Sequence, residues 1–185
     1  METTDTQNEK RRIELLAIRC QLGEREAFDT LVRGWHRPLW QYLRGLIRSP
    51  DAVDECLQDA WLKIVRSIPR LRDPARLKPW MFSIARRTAM DHLRARYREE
   101  PDSGIDPDQL EAAEPGLPDD EVDLLEVGLS NLGRIDREVL TLFYLKALSI
   151  DEVADVLDVP IGTVKSRLHR ARQSLRDELN KEIRA

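Results

Sequence analysis

The sequence predicts an all-α protein in which a flexible acidic linker joins two small helical domains, and the C-terminal domain contains a helix-turn-helix. Three observations lead to this fold class. Apolar residues recur at steps of three and four, and no stretch alternates between apolar and polar as a half-buried strand does. Acidic residues concentrate in the middle of the chain. Near the C-terminus, two short helical segments are separated by a tight turn.

The composition is that of a folded helical protein. The chain has 185 residues, of which 41% are hydrophobic and 35% charged, which is too apolar for a disordered chain. No apolar run approaches the roughly 18 residues that span a bilayer, and the polar start predicts no secretory signal. Cys20 and Cys56 lack CxxC spacing and are predicted to be free, buried thiols in a reducing cytosol. We expect no membrane insertion, metal site or cofactor.

The net charge of −4 hides a strong segregation of charge. Residues 1–98 contain 20 Lys and Arg against 13 acids, whereas residues 99–126 contain 12 acids and no base. That acidic segment also holds four prolines and two glycines, and it is predicted to be the linker. Residues 127–185 contain 10 bases and 9 acids and form the predicted second domain. A protein that is acidic overall still binds nucleic acid when its bases cluster on one face.

The N-terminal domain is predicted over 10–98, after a flexible tail over 1–9. Breaks between its helices are expected at Gly23, at Ser49-Pro50 and in the proline-rich stretch before Pro79, because proline disfavours the helical conformation in the residue before it. The four predicted helices lie near 10–22, 24–48, 51–67 and 79–97.

The helix-turn-helix begins at a capping box. Ser149 and Glu152 have the spacing at which each side chain bonds a free amide of the helix start. Apolar residues then follow at helical spacing up to Leu157, and the turn 158–162 precedes a second helix, TVKSRLHRARQSLR. Small Ala154 allows the two helices to pack closely. This arrangement is typical of a helix-turn-helix.

The second helix, from about Thr163 to Arg176, sorts into faces at 100° per residue. The apolar stripe consists of Val164, Leu168, Ala171 and Leu175. Opposite it lie side chains that can bond base edges, namely Ser166, His169, Arg170 and Gln173. The flanking bases Lys165, Arg167, Arg172 and Arg176 are placed to reach phosphates. A solvated basic helix is the alternative, but the capped partner helix and tight turn favour major-groove binding.

The segment 54–65 predicts a docking face. Leu57, Ala60, Trp61 and Ile64 share one side of this helix. The other side presents Asp54, Glu55, Gln58, Asp59 and Leu62. An exposed leucine among acids suggests a surface for a basic protein partner. The alternative is an ordinary surface helix with solvated acids.

The segment 67–98 joins a basic, proline-stiffened loop to a basic helix. Arg76, Lys78 and Trp80 lie where the loop meets the helix, and Arg87, Asp91 and Arg94 project away from its apolar stripe. Backbone charge combined with an aromatic ring suits single-stranded nucleic acid. Trp80 as a core residue is the alternative.

These motifs carry a family resemblance. The order of DECLQDAWLKIV, WMFSIARRTAMDHLR, the acidic linker and LTLFYLKALSIDEVADVLDVPIGTVKSRLHRARQSL resembles the extracytoplasmic-function sigma factors over about 13–180. The resemblance implies a cytoplasmic, non-enzymatic subunit that binds the clamp helices and flap of RNA polymerase core. It would direct the polymerase to promoter DNA, both as duplex and as a melted non-template strand. An anti-sigma factor, which could hold the protein at the membrane, is expected only at the level of the family.

The resemblance also implies site residues. The helix 54–65 would dock on the polymerase through Asp54, Glu55, Gln58 and Asp59. The loop 67–79 and the helix face near Arg87, Thr88, Asp91 and Arg94 would hold the melted −10 strand. At the −35 element, Lys165, Ser166, His169 and Arg170 would contact bases, and Arg167 and Arg172 would contact phosphates.

The chain departs from the family pattern at two places. Thr88 stands where asparagine is usual in the family, whose side chain there helps to engage the melted strand, and Leu132-Gly133 stands where Leu-Pro is common.

The sequence also bears on two alternative functions. A helix-turn-helix regulator that is not a polymerase subunit would need a sensing module, and the N-terminal block lacks the alternating strands of a phosphoacceptor domain. An enzyme would need a motif such as a glycine-rich phosphate loop or HExxH, and the sequence has neither.

Overall fold

The computed structural model describes residues 2–47, 49–99 and 132–182, and these ranges contain helices and turns but no strand. The N-terminal unit consists of α1 (Glu2–Gln21), α2 (Arg25–Arg44), α3 (Pro50–Ser67) and α4 (Leu77–Glu99). The C-terminal unit consists of α5 (Arg134–Leu140), α6 (Ile150–Leu157) and α7 (Ile161–Glu182). The all-α fold class with a helix-turn-helix is confirmed.

The breaks in the N-terminal unit follow local sequence rules. Gly23 adopts φ +80 in the turn between α1 and α2, a conformation that side chains rarely tolerate. Pro50 begins α3, where its missing N–H leaves no bond unmade. Pro79 is the third residue of α4, within the first turn, so it is tolerated for the same reason. The four helices enclose a core that includes Leu31, Leu43, Cys56, Ile64 and Phe82.

Three expectations need correction or lie outside the structure. Helix α1 begins at Glu2 and not near residue 10, because the polar start contains no proline or glycine to end a helix. Two short 3₁₀ turns, Ile68–Arg70 and Pro74–Arg76, replace the plain loop that was expected before α4. The predicted linker 99–126 lies almost wholly outside the described residues.

The C-terminal unit has a capped helix-turn-helix. The Ser149 hydroxyl accepts from the Glu152 amide and the Glu152 carboxylate accepts from the Ser149 amide, so the predicted capping box is present. Asp158, at φ 55, ends α6 in the left-handed conformation. A π-helical turn, Thr141–Leu145, separates α5 from α6, and the Lys146 amide donates to the Thr141 carbonyl at 2.9 Å.

The two units pack against each other, which the sequence did not predict. The Tyr42 hydroxyl donates to Glu138 Oε1 at 2.7 Å, and Arg86 Nε donates to the same oxygen at 2.9 Å. The Glu138 side chain is only 3% exposed. Burial, followed by the nearby Glu138 carboxylate, raises the pKa of Tyr42 well above its usual value, so its hydroxyl remains a donor. A buried polar cluster of Tyr42, Arg86 and Glu138 therefore joins the N-terminal and C-terminal units.

The cysteines, possible metal ligands and possible membrane-spanning helices of the described residues can be compared with the sequence-based expectations. Cys20 and Cys56 are free and buried, as predicted, and burial raises the pKa of both thiols to about 11. In the described ranges, no three histidine, cysteine or acidic side chains cluster as metal ligands. None of the helices described is long and apolar enough to cross a membrane.

Candidate nucleic-acid and polymerase interfaces

Helix α7 has the faces that its sequence predicts. Val164, Leu168 and Ala171 are buried against α5 and α6. The opposite face is open: Lys165, Ser166, His169, Arg170, Arg172 and Gln173 are exposed, and Arg167 is half-exposed. One helix therefore presents hydrogen-bonding groups between basic flanks, which is the arrangement that major-groove readout needs.

Arg170 has a fixed partner outside the helix-turn-helix. Its Nη2 donates to Asp136 Oδ1 at 2.8 Å, and its Nε lies 3.2 Å and 3.4 Å from the two carboxylate oxygens. The hydrogen bond and the charge of Asp136 both raise the pKa of Arg170. Sequence reasoning missed Asp136, because it lies 34 residues away and belongs to no motif.

Arg172, predicted to face a phosphate, lies against the aromatic pair of the π turn. Its Nε donates to the Tyr144 hydroxyl at 2.7 Å. Its guanidinium carbon lies 5.9 Å and 5.5 Å from the ring centroids of Phe143 and Tyr144. Tyr144 remains 54% exposed. The sequence did not single out either ring, although two adjacent aromatic residues in a helical segment are a usable signal.

Three of the predicted strand-binding residues, Arg76, Trp80 and Arg87, line a cleft between the two units. The other predicted residues, Lys78, Thr88, Asp91 and Arg94, do not line it. The cleft has a volume of about 1040 Å³, and Arg70, Arg72, Arg76, Arg87 and Trp80 line its N-terminal side. Asp155 and Asp158 of the helix-turn-helix contribute to the facing side. The charge and the aromatic ring expected for a nucleic-acid strand are thus brought together, with Arg70 and Arg72 as additions to the predicted set.

Two cations at the edge of this cleft contact the C-terminal unit. Arg76 Nη2 lies 2.5 Å from Asp155 Oδ2 and 3.5 Å from Asp151 Oδ2. Lys78 Nζ lies 3.4 Å from the Ala147 carbonyl oxygen, and burial lowers the pKa of Lys78. In this arrangement the carboxylates of Asp151 and Asp155 on α6 face the guanidinium of Arg76 at the edge of the cleft.

Thr88 does not belong to the exposed face of α4. Its side chain is 3% exposed, and its hydroxyl donates to the Ile84 carbonyl at 2.9 Å while accepting from Lys63 Nζ at 3.0 Å. The expectation that Thr88 shares a face with Arg87, Asp91 and Arg94 is therefore wrong. The reason is geometric, since one residue step turns a helix by about 100° and carries Thr88 into the core side.

The predicted docking face of α3 is exposed. Asp54, Glu55, Gln58 and Asp59 are exposed, and Leu62 is 47% exposed. Behind them, Leu57, Ala60 and Ile64 are buried, as expected. Trp40 Nε1 donates to Asp54 Oδ1 at 2.8 Å, which orients the first carboxylate. Val65, one helical turn beyond Trp61, adds a second exposed apolar side chain to this helix.

Comparison with known families identifies both units. Residues 31–99 match the family described as sigma-70 region 2, and residues 123–175 match sigma-70 region 4. The chain belongs to the sigma-70 factors. Region 2 covers α2 from Leu31 onward and all of α3 and α4, with the cleft arginines. Region 4 covers α5, α6 and α7 as far as residue 175.

The relatives of this sigma factor place it in the extracytoplasmic-function group. It is 28% identical to the RNA polymerase sigma-H factor of Pseudomonas aeruginosa, over 91% of this chain and 94% of that protein. It is also 28% identical to the extracytoplasmic-function sigma-E factor of Escherichia coli, over 92% of this chain and 96% of that protein. The protein is an RNA polymerase sigma factor for promoter-specific initiation of transcription.

Two solved structures resemble this sigma factor. One is the sigma factor RpoE of Bartonella quintana in complex with the anti-sigma factor NepR, with a TM-score of 0.69, 26% identity, and coverage of 83% of this chain and 96% of that one. The other is CnrH in complex with the cytosolic domain of CnrY, with a TM-score of 0.66, 25% identity, and coverage of 91% and 97%.

Proposed function

We propose that this sigma factor reads the −35 element as duplex DNA with α7 and holds the melted −10 strand in the arginine-lined cleft. The exposed face of α3 docks on the clamp helices of RNA polymerase core, and the C-terminal unit contacts the flap. The polymerase performs the chemistry, so the sigma factor itself is not an enzyme. It acts in the cytoplasm of a bacterium.

The observation that carries this proposal is the exposed face of α7. Its base-reading side chains Ser166, His169, Arg170 and Gln173 stand opposite an apolar stripe that is buried apart from half-buried Leu175, so the helix can enter a groove only in this orientation. Arginine pairs with guanine and glutamine with adenine through two hydrogen bonds each. Lys165 and Arg167 on the flanks supply the phosphate contacts that set the register.

The cleft supports the assignment of the −10 strand. Its arginines supply charge along a backbone, and Trp80 supplies a ring on which a base can stack. Arg87 and Arg94 extend this basic surface along the exposed face of α4. For the strand to use Arg76, the ion pairs of Arg76 with Asp151 and Asp155 must first open.

An anti-sigma factor is the proposed protein inhibitor. One similar solved structure is the sigma factor RpoE in complex with the anti-sigma factor NepR, and another is CnrH in complex with the cytosolic domain of CnrY. Binding of such a partner, when it is membrane-anchored, would hold this sigma factor at the membrane. The partner would compete for surfaces that the polymerase and the promoter also use.

The deciding experiment is transcription from a genomic fragment library by core polymerase, with and without the purified protein. We expect new start sites whose upstream sequences share two motifs at a fixed spacing. If none appeared and core polymerase did not bind the protein, the role of polymerase subunit would be lost. Binding of the protein alone to specific duplex sites would then point to a DNA-binding regulator.

A pair of substitutions tests the facing of α7. Arg170→Ala should cost about 1–3 kcal/mol of binding and relax one position of the −35 element. Arg172→Ala should weaken binding to all sequences alike and reduce the salt dependence of binding. Holoenzyme affinity measured on a matched set of promoter duplexes at several salt concentrations separates these effects. Indistinguishable variants would contradict the assigned faces.

A further inference from the structure

We infer that Asp136 is a positioning residue that sets the base preference of Arg170. This inference rests on the proposed function of α7. It places a determinant of promoter specificity on α5, outside the recognition helix and outside the helix-turn-helix.

The contact orients the whole guanidinium group. Asp136 receives Nη2 at 2.8 Å and lies 3.2–3.4 Å from Nε, so it engages one edge of the planar fork. The other edge, formed by Nη1 and the outer hydrogen of Nη2, is left with its two parallel donors. That edge matches the N7 and O6 acceptors of guanine.

Asp136 is more buried than Arg170, as expected for a residue that restrains an exposed side chain. The Asp136 side chain is 15% exposed, whereas the Arg170 side chain is 61% exposed. Asp136 lies in the first turn of α5, where a carboxylate is favoured by the helix dipole. Helix α5 packs closely along α7. A held carboxylate therefore restrains a long side chain that would otherwise sample many rotamers in solvent.

The same carboxylate opposes binding that is not sequence-specific. A negative charge beside a DNA-facing helix repels the phosphate backbone, whatever the base sequence. Removing that charge should thus raise affinity for unrelated DNA while it lowers the preference of Arg170 for one base. Loss of a residue that is needed only for folding would lower the affinity for the promoter and the affinity for unrelated DNA together. A lower base preference combined with a higher affinity for unrelated DNA therefore identifies a positioning role.

The test uses reconstituted holoenzyme and a promoter library that is randomised across the −35 element. Arg170→Ala should lower the preference at one position by about 10- to 100-fold, which corresponds to the usual range for a base contact. Asp136→Asn should lower the preference at that same position about 3- to 10-fold and leave affinity for unrelated DNA unchanged or raised. The double variant should be no less specific than Arg170→Ala alone.

Two further variants serve as controls. Asp177→Asn removes the same charge from an exposed position on α7 and should leave the base preference unchanged. Asp136→Glu keeps the charge and should restore part of the preference. Thermal unfolding of each variant checks that the fold is retained.

The outcomes separate this inference from the proposed function. If Arg170→Ala lowered the preference and Asp136→Asn did not, the positioning role would be overturned and the function would stand. A uniform loss of affinity in Asp136→Asn would also overturn it, because it would indicate a structural role only. If Arg170→Ala changed no base preference, the proposed base contact itself would fail.

Discussion

Three arginines on the surfaces that are proposed to bind nucleic acid already contact other parts of the protein. Arg170 is held by Asp136, Arg172 by Tyr144 and Arg76 by Asp155. Each partner lies on a different element from its arginine, so the direction of each guanidinium depends on the packing of two elements. Substituting a partner therefore alters an arginine that the substitution leaves in place.

One residue in the C-terminal unit has a conformation that its side chain disfavours. Ala147 adopts φ 47 between the π turn and α6. For an L-residue this left-handed conformation costs roughly 1–2 kcal/mol, whereas a glycine there loses about 0.4–1 kcal/mol through the entropy of the unfolded chain. Ala147→Gly should therefore stabilise the protein by about 0.5 kcal/mol, measured by urea unfolding.

Gly23 provides the reverse experiment. It adopts φ +80, and no atom lies within 4 Å of the position that a Cβ would take. Gly23→Ala should thus destabilise the protein by about 0.5 kcal/mol, because roughly 1–2 kcal/mol of left-handed strain outweighs the about 0.4–1 kcal/mol gained from a less flexible unfolded chain. If the two substitutions shifted the free energy of unfolding in the same direction, left-handed strain would not be the cause.

At the scale of the element, local signals determine where helices begin and end, and long-range packing determines what they contact. The capping box at Ser149, the turn at Asp158 and the proline at the start of α3 are each readable from a few neighbouring residues. The π turn Thr141–Leu145 has no such signal. Its wider helical turn is visible in the bond from the Lys146 amide to the Thr141 carbonyl.

Ser149→Ala tests the capping box. The change removes the acceptor for the Glu152 amide and should destabilise the C-terminal unit by about 1 kcal/mol at neutral pH. Urea unfolding of the variant and the wild type measures the difference. Ser166→Ala is a matched control, because the Ser166 hydroxyl donates only to the Thr163 carbonyl of its own helix. Equal losses in both variants would contradict a capping role.

The effect of Ser149→Ala on the stability of the protein should depend on pH. A hydrogen bond from the Ser149 hydroxyl is the main cause that lowers the pKa of Asp151. A carboxyl whose pKa is lower in the folded state stabilises the fold above its unfolded pKa and loses that contribution as pH falls through the folded pKa. The difference in free energy of unfolding between the wild type and Ser149→Ala should accordingly become smaller below about pH 4.

At the scale of the whole molecule, the buried polar cluster of Tyr42, Arg86 and Glu138 joins the N-terminal unit to the C-terminal unit. Glu138 accepts from both Tyr42 and Arg86, and its own side chain is buried while that of Arg86 is partly exposed. This arrangement also brings Asp151 and Asp155 onto Arg76 at the edge of the cleft. The surface that is proposed to hold the −10 strand is thus partly covered by the unit that is proposed to read the −35 element.

Glu138→Ala should loosen this interface. It leaves the Arg86 charge and the Tyr42 hydroxyl without their acceptor, a change that typically costs about 3–5 kcal/mol for a buried pair. We expect thermal unfolding to separate into two transitions and the radius of gyration in solution to increase. Tyr42→Phe, which removes one hydrogen bond, should cost about 1 kcal/mol.

Glu55→Ala is the control for the loss of a negative charge, since Glu55 is exposed on α3. It should leave a single transition. A single unchanged transition in Glu138→Ala would show that the cluster does not hold the two units together.

The sequence by itself determined the helical elements, the helix-turn-helix and the inward and outward faces of α3 and α7. These features depend on periodicity and end signals within a few residues, so they can be read from the chain directly. It also placed Thr88 on the wrong face of α4, where one residue step decides between core and solvent.

Only the tertiary structure decided which partners hold the functional side chains. The Arg170–Asp136 contact joins residues 34 apart, and the Tyr42–Glu138 contact joins residues 96 apart. A single polar pair at such a separation leaves no period or motif in the sequence. Its geometry depends on how whole helices pack, and packing is settled by the shape of the complete core.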